Sequence, residues 1–103
     1  MKPIPLKEDD APRRIAVVVN ADAGTVLEMG ADHFRHTICE AFARHGAVAE
    51  VRAVPGPEIR PQLREVLAGG YDLVVVSGGD GTLSKALPDL LDADVPVGVL
   101  SLG

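Results

Sequence analysis

Four runs of mostly apolar residues divide the chain, and residues that favour turns stand between them. The first and third runs are almost wholly apolar, which is typical of strands buried on both faces of a sheet. The second alternates between apolar and polar positions, so we expect it nearer the edge of the sheet. Pro96 and Gly98 interrupt the fourth. The predicted strands cover residues 15–19, 47–54, 71–76 and 95–102.

Between these runs, apolar residues recur at intervals of three and four, which is the spacing of an amphipathic helix. The intervals predict helices over about residues 31–45, 59–67 and 83–91. Pro61 fits only in a first helical turn, and Pro88 should kink or shorten the third helix.

The predicted elements alternate as strand and helix, with about 30 residues for each strand-helix-strand unit. That spacing indicates parallel strands joined by right-handed crossovers. We therefore predict one three-layer α/β/α domain with a four-stranded parallel sheet over residues 13–103. Residues 1–12, with three prolines and a short acidic run, are predicted to be a flexible leader.

Composition narrows the classes of function. The chain has 103 residues, of which 47% are hydrophobic, and its net charge is −5, from 10 basic and 15 acidic side chains. This balance, without a basic run, disfavours a nucleic-acid partner. The single cysteine excludes an intramolecular disulfide, and no apolar stretch is long enough to suggest a transmembrane segment. We expect a cytoplasmic protein, with peripheral contact at a membrane surface still open.

The candidate chemistry lies after the third strand, in a glycine-rich segment that precedes a helix. Gly78, Gly79 and Gly81 can adopt positive φ and let an anion approach the backbone amides at the positive end of the helix dipole. Thr82 can donate a hydroxyl hydrogen bond, and Asp80 can act on a phosphate through Mg²⁺. The alternative is a tight turn in which Thr82 is simply the helix N-cap.

The sequence Val-Ser-Gly-Gly-Asp-Gly-Thr over residues 76–82 resembles the signature of the diacylglycerol kinase catalytic family, which NAD kinases share. Two more segments are similar to the lipid kinases rather than to NAD kinases. One is Asn20-Ala21-Asp22-Ala23-Gly24, and the other is the strand over residues 95–103. The resemblance covers residues 14–103. It departs from the family at Ser84 and Lys85, where Asn-Glu is common.

The resemblance implies a lipid kinase that uses ATP and Mg²⁺ to phosphorylate the hydroxyl of diacylglycerol or a related lipid. It implies a fragment whose lipid pocket and general base lie beyond Gly103, so no catalytic residue is assigned here and the chain alone is expected to be inactive. An NAD kinase-like fragment and a non-catalytic nucleotide-binding module are the alternatives. The residues expected to border the nucleotide are Asn20, Ala21, Asp22, Ala23, Gly24, Gly78, Gly79, Asp80, Gly81 and Thr82, with Asp80 acting indirectly on the metal.

Three further expectations concern charge and association. From residue 71 to the end there are five aspartates and one lysine, so this segment alone should repel ATP. Asp89, Asp92 and Asp94 are expected on a solvated surface. Apolar residues of the fourth strand are expected to promote self-association, as a homodimer or an aggregate.

Overall fold

The computed structural model describes residues 13–102, so the predicted leader lies outside the described residues. It confirms the predicted fold class, a parallel sheet of four strands between two layers of helices. The strands are β1 (Arg13–Asn20), β2 (Ala47–Val54), β3 (Leu73–Gly78) and β4 (Val97–Ser101). The helices are α1 (Gly24–Met29), α2 (Ala31–Ala43), α3 (Ile59–Leu67) and α4 (Asp80–Leu91), and a short 3₁₀ turn, Gly56–Glu58, precedes α3.

The sheet order is β2-β1-β3-β4, with every neighbouring pair parallel. The strand Arg13–Asn20 is central because its run from Ile15 to Val19 is buried throughout. Val17 is in register with Val51 on one side and Val75 on the other. The alternating strand β2 lies at an edge, as predicted.

Each face of the sheet is covered by two helices, because successive strand residues point to opposite faces. On one face, Ala16, Val18, Val74 and Val76 pack with buried residues of α3 and α4. On the other face, the alternate residues of β1 and β3 pack with Val26 of α1 and Phe34 of α2. Helices α3 and α4 therefore lie side by side on a single face, and their first turns lie at the carboxyl edge of the sheet.

One local prediction needs correction. Gly24, expected in a loop, begins α1, a six-residue helix with one buried side chain, Val26; so short a helix leaves no detectable periodicity. Pro88 lies inside α4, which ends three residues later at Leu91, the predicted end of this helix. The loss of one amide donor is tolerated there because α4 packs against both the sheet and α3.

Candidate functional site

Asn20, the last residue of β1, joins two loops at the carboxyl edge of the sheet. Its side-chain amide Nδ2 donates a hydrogen bond to Thr82 Oγ1 at 2.8 Å, across 62 positions of sequence. Its Oδ1 accepts a hydrogen bond from the backbone amide of Asp22 at 2.9 Å, which forms an Asx turn. The loop after β1 and the first turn of α4 are therefore fixed to each other, as the parallel topology predicts.

The glycine-rich segment is more regular than the sequence suggested. Gly78 is a buried residue of β3, Gly79 is the N-cap of α4 with φ −81° and ψ −178°, and Asp80 and Gly81 already belong to the helix. None of these glycines has a positive φ; among residues 13–102, positive values occur at Gly30, Gly46 and Gly70. The left-handed backbone that these glycines permit is not used here, because the strand leads directly into the helix.

The requirement for glycine at position 78 comes from close packing. A Cβ atom on Gly78 would lie 2.7 Å from Thr82 Cβ, whereas one on Gly79 or Gly81 would meet nothing within 4 Å. Thr82 is the third residue of α4 and accepts the hydrogen bond from Asn20, so it is not the N-cap. No side chain of residues 13–102 caps α4, so the first-turn amides of the helix are left for solvent or a ligand.

A cleft of about 530 Å³ opens beside this first turn, between α3 and α4. Its walls combine the ends of β1 and α4 with the segment that follows β2. The lining residues are Asn20, Gly56, Pro57, Ile59, Arg60, Gly81, Thr82 and Lys85. We call this space the α3–α4 cleft.

The cleft contains three of the ten residues predicted to border a nucleotide, namely Asn20, Gly81 and Thr82. The structure places Gly79 and Asp80 next to it in the chain, at the start of α4. Asp22 lies near the cleft from the other side, where its Oδ2 accepts a weak hydrogen bond from the amide of Gly56 at 3.5 Å. The remaining predicted residues, which do not line the cleft, are Ala21, Ala23, Gly24 and Gly78.

Sequence reasoning missed the two cations in the cleft wall, Arg60 and Lys85. A signal for each was present: Arg60 follows the Pro-Gly-Pro loop at the carboxyl end of β2, and Lys85 stands three positions after Thr82 on the same helix. The charge count over residues 71–103 was misleading, because one wall of the cleft comes from α3. The eight lining residues include two cations and no carboxylate.

Asp89 corrects the prediction of a solvated acidic surface. Its side chain is only 13% exposed and accepts hydrogen bonds from Arg60 Nε at 2.9 Å and Arg64 Nε at 3.2 Å. The hydrogen bond from Arg60 lowers the pKa of Asp89, against the opposing effect of burial. Asp92 and Asp94 are exposed, as expected.

The described part of the chain holds no preformed cluster of metal ligands. No group of three or more His, Cys, Asp or Glu side chains within residues 13–102 is arranged to hold a metal ion. Asp80 is exposed at the first position of α4, one residue from the cleft. It offers a single carboxylate ligand. In the same described part of the chain, no helix is long and apolar enough to cross a membrane.

Comparison with known proteins adds an independent finding. Residues 14–103 match the family described as "Diacylglycerol kinase catalytic domain". Two curated relatives, both called "Diacylglycerol kinase", come from Mycobacterium tuberculosis strains CDC 1551 / Oshkosh and ATCC 25618 / H37Rv. Each is 39% identical to this chain over 71 residues, an alignment that covers 59% of this chain and 23% of the relative. The matched region is therefore about a quarter of the length of these relatives.

Proposed function

The chain belongs to the diacylglycerol kinase catalytic domain family, and from this membership we propose that it is the ATP-binding part of a lipid kinase. In the whole protein, the γ-phosphate of ATP would be transferred to the hydroxyl of diacylglycerol or a related lipid. The lipid pocket and the general base are proposed to lie outside this chain. The 103 residues alone are then expected to phosphorylate no lipid.

One observation carries the proposal: the 2.8 Å hydrogen bond between Asn20 and Thr82. It holds together two loops from different strands at the carboxyl edge of a parallel sheet, where ligands bind in open α/β folds. It also holds the uncapped first turn of α4 at the mouth of the α3–α4 cleft. The free backbone amides of that first turn and the positive end of the α4 dipole suit a phosphate group.

The proposed roles follow from these positions. The amides of Asp80, Gly81 and Thr82 donate to phosphate oxygens, and glycine at position 81 leaves the approach free of a side chain. Asn20 keeps the β1 loop against the ligand. Of residues 20–24, Asn20 lines the cleft and Asp22 lies near it, so this segment borders the nucleotide from the side opposite α4.

Asp80 fits a magnesium ion that is held mainly by the nucleotide. Mg²⁺ in phosphoryl-transfer sites is bound by one or two carboxylates together with substrate phosphates and water. The single exposed carboxylate of Asp80, one residue from the cleft, meets that requirement. When bound, the ion would neutralise part of the charge on the phosphates, while this chain orients them.

Weak binding is expected for the chain alone. A few backbone hydrogen bonds, at about 0.5–1.5 kcal/mol each, must exceed an association cost of at least ~4 kcal/mol. The surplus is small, so we expect a dissociation constant of millimolar order or weaker, with a binding free energy no more favourable than about −4 kcal/mol.

An NMR titration of the chain with Mg²⁺·ATP tests the proposal. Amide shifts should be concentrated at residues 78–82 and 20–24 and should not saturate at micromolar ligand. Thr82→Val removes the acceptor of Asn20 and should weaken binding severalfold. Thr37→Val is the matched control, because the Thr37 hydroxyl donates to the carbonyl of His33 on the exposed side of α2, away from the cleft. Shifts confined to other surfaces, or equal affinities for the two variants, would contradict the proposed site.

A further inference from the structure

Arg60 and Lys85 stand on opposite walls of the α3–α4 cleft, one on each helix. We infer that these two side chains form an anion subsite that binds one phosphate group, and that Asp89 positions Arg60 to bind this phosphate. The inference rests on the proposed function. The subsite lies beside the first turn of α4, because Gly81 and Thr82 line the same cleft.

The geometry of Arg60 leaves donors for a ligand. Its Nε is bound to Asp89 Oδ2, which fixes the plane of the guanidinium, and the side chain remains 43% exposed at the cleft wall. The two terminal nitrogens carry four further N–H groups, and a guanidinium can present them to a phosphate in pairs. Lys85 supplies an exposed ammonium from one turn beyond Gly81.

Local charge also favours an anion. Arg60 and Lys85 are the two charged side chains among the eight lining residues, and both are cations. The carboxylate that binds Arg60, Asp89, is shared with Arg64 and is only 13% exposed. A phosphate in the cleft therefore meets two cations and no lining carboxylate.

A purely structural role for Arg60 would make it one half of a clamp between α3 and α4. Arg64 already supplies that clamp, because its Nε also binds Asp89, and it lies outside the cleft. Arg64 is therefore a matched control: it carries the same charge, binds the same carboxylate and is on the same helix. A clamp alone predicts that the two arginines are interchangeable, whereas a subsite predicts that only Arg60 affects the ligand.

The experiment measures dissociation constants of the full chain by NMR for inorganic phosphate, tripolyphosphate, ATP and adenosine. Arg60→Gln and Lys85→Gln should each weaken tripolyphosphate binding by about threefold to tenfold, and Arg64→Gln by less than about twofold. Adenosine binding should not change in any variant. Equal losses for Arg60→Gln and Arg64→Gln, or no binding of either phosphate compound, would overturn the subsite.

The four probes distinguish the phosphate of a nucleotide from other phosphates, and they test the anion subsite separately from nucleotide binding. If ATP binds and neither Arg60→Gln nor Lys85→Gln changes its affinity, the subsite is wrong while nucleotide binding stands. If tripolyphosphate depends on both cations but ATP and adenosine shift no residue near Asn20, the subsite stands as a site for another phosphate and the nucleotide proposal fails.

Asp89→Asn tests positioning separately from charge. The variant raises the net charge of the chain by one, so general electrostatic attraction predicts tighter binding of tripolyphosphate. Loss of the alignment of Arg60 predicts weaker binding despite the added charge. Tighter binding would overturn the positioning role of Asp89.

Discussion

Gly78→Ala inserts one methyl group at the tightest contact of the candidate site. The new Cβ would lie 2.7 Å from both Cβ and Cγ2 of Thr82, whereas ordinary contacts are 3.4–4 Å. Rotation about χ1 of Thr82 would move Cγ2 but not Cβ. Relief therefore requires α4 to move away from β3, which disturbs the hydrogen bond between Thr82 and Asn20.

The expected cost follows from two opposing contributions. Overpacking of a buried contact lowers the free energy of unfolding by about 1–3 kcal/mol. Replacement of glycine by alanine restricts the unfolded chain, which raises the free energy of unfolding by about 0.4–1 kcal/mol. A net loss of about 1.5 kcal/mol, divided by a urea slope of about 2 kcal/mol/M, lowers the unfolding midpoint by roughly 0.7 M. Gly81→Ala is the control, because its Cβ meets nothing and alanine favours a helix by about 0.5–1 kcal/mol.

Urea unfolding followed by circular dichroism measures both variants, and NMR follows the side-chain amide of Asn20. We expect Gly78→Ala to lower the midpoint and shift that amide signal, and Gly81→Ala to raise the midpoint. Gly78→Ala with wild-type stability and an unmoved Asn20 signal would refute the packing argument. Packing therefore requires glycine at position 78, whereas a Cβ at position 79 would meet nothing within 4 Å.

Three other predictions concern stability, association and the metal. The pKa of Asp89 is lowered, so its ionised side chain stabilises the fold at pH values above 3.8, the ordinary aspartate pKa, and this contribution is lost as pH falls through the lowered pKa. The stability difference between wild type and Asp89→Asn should therefore shrink below pH 3.8 in acid unfolding curves. Val99 and Leu100 are 52% and 37% exposed on the edge strand β4, so sedimentation at ~100 μM should show self-association that Val99→Lys abolishes; a wild-type monomer would contradict this. Asp80→Asn should keep the fold by circular dichroism and reduce the Mg²⁺-dependent part of ATP affinity; an unchanged Mg²⁺ dependence would remove the role proposed for Asp80.

The sheet and its helices could be predicted because their signals are local. Continuous apolar runs and three-and-four spacing recovered all four strands and the three long helices. The short helix α1 could not be predicted, because six residues with one buried anchor carry no period. The glycine segment was recognised as a candidate site, but its backbone conformation could not be predicted. The sequence shows that glycine permits positive φ, but not whether the chain uses it.

The cleft was less predictable than the fold because it depends on residues distant in sequence. Parallel topology places the ends of β1 and β3 at one edge of the sheet, and the structure brings Asn20 and Thr82 into hydrogen-bond contact there. The position of Arg60 in the cleft could not be predicted, because it depends on how α3 packs against α4. The pairing of Asp89 with Arg60 and Arg64 could not be predicted either, because it also depends on how the two helices pack.

Paramagnetic NMR with Mn²⁺·ATP tests most directly whether a metal nucleotide binds at the carboxyl edge of β1 and β3. Mn²⁺ replaces Mg²⁺ on the phosphates and broadens the signals of nearby amides, so the position of the metal is read residue by residue. We predict the strongest broadening at residues 79–82, weaker broadening at residues 20–24, and loss of both when excess Mg²⁺·ATP is added. Broadening centred on the exposed carboxylates of Asp92 and Asp94, or an identical pattern with Mn²⁺ alone, would contradict nucleotide binding at this site.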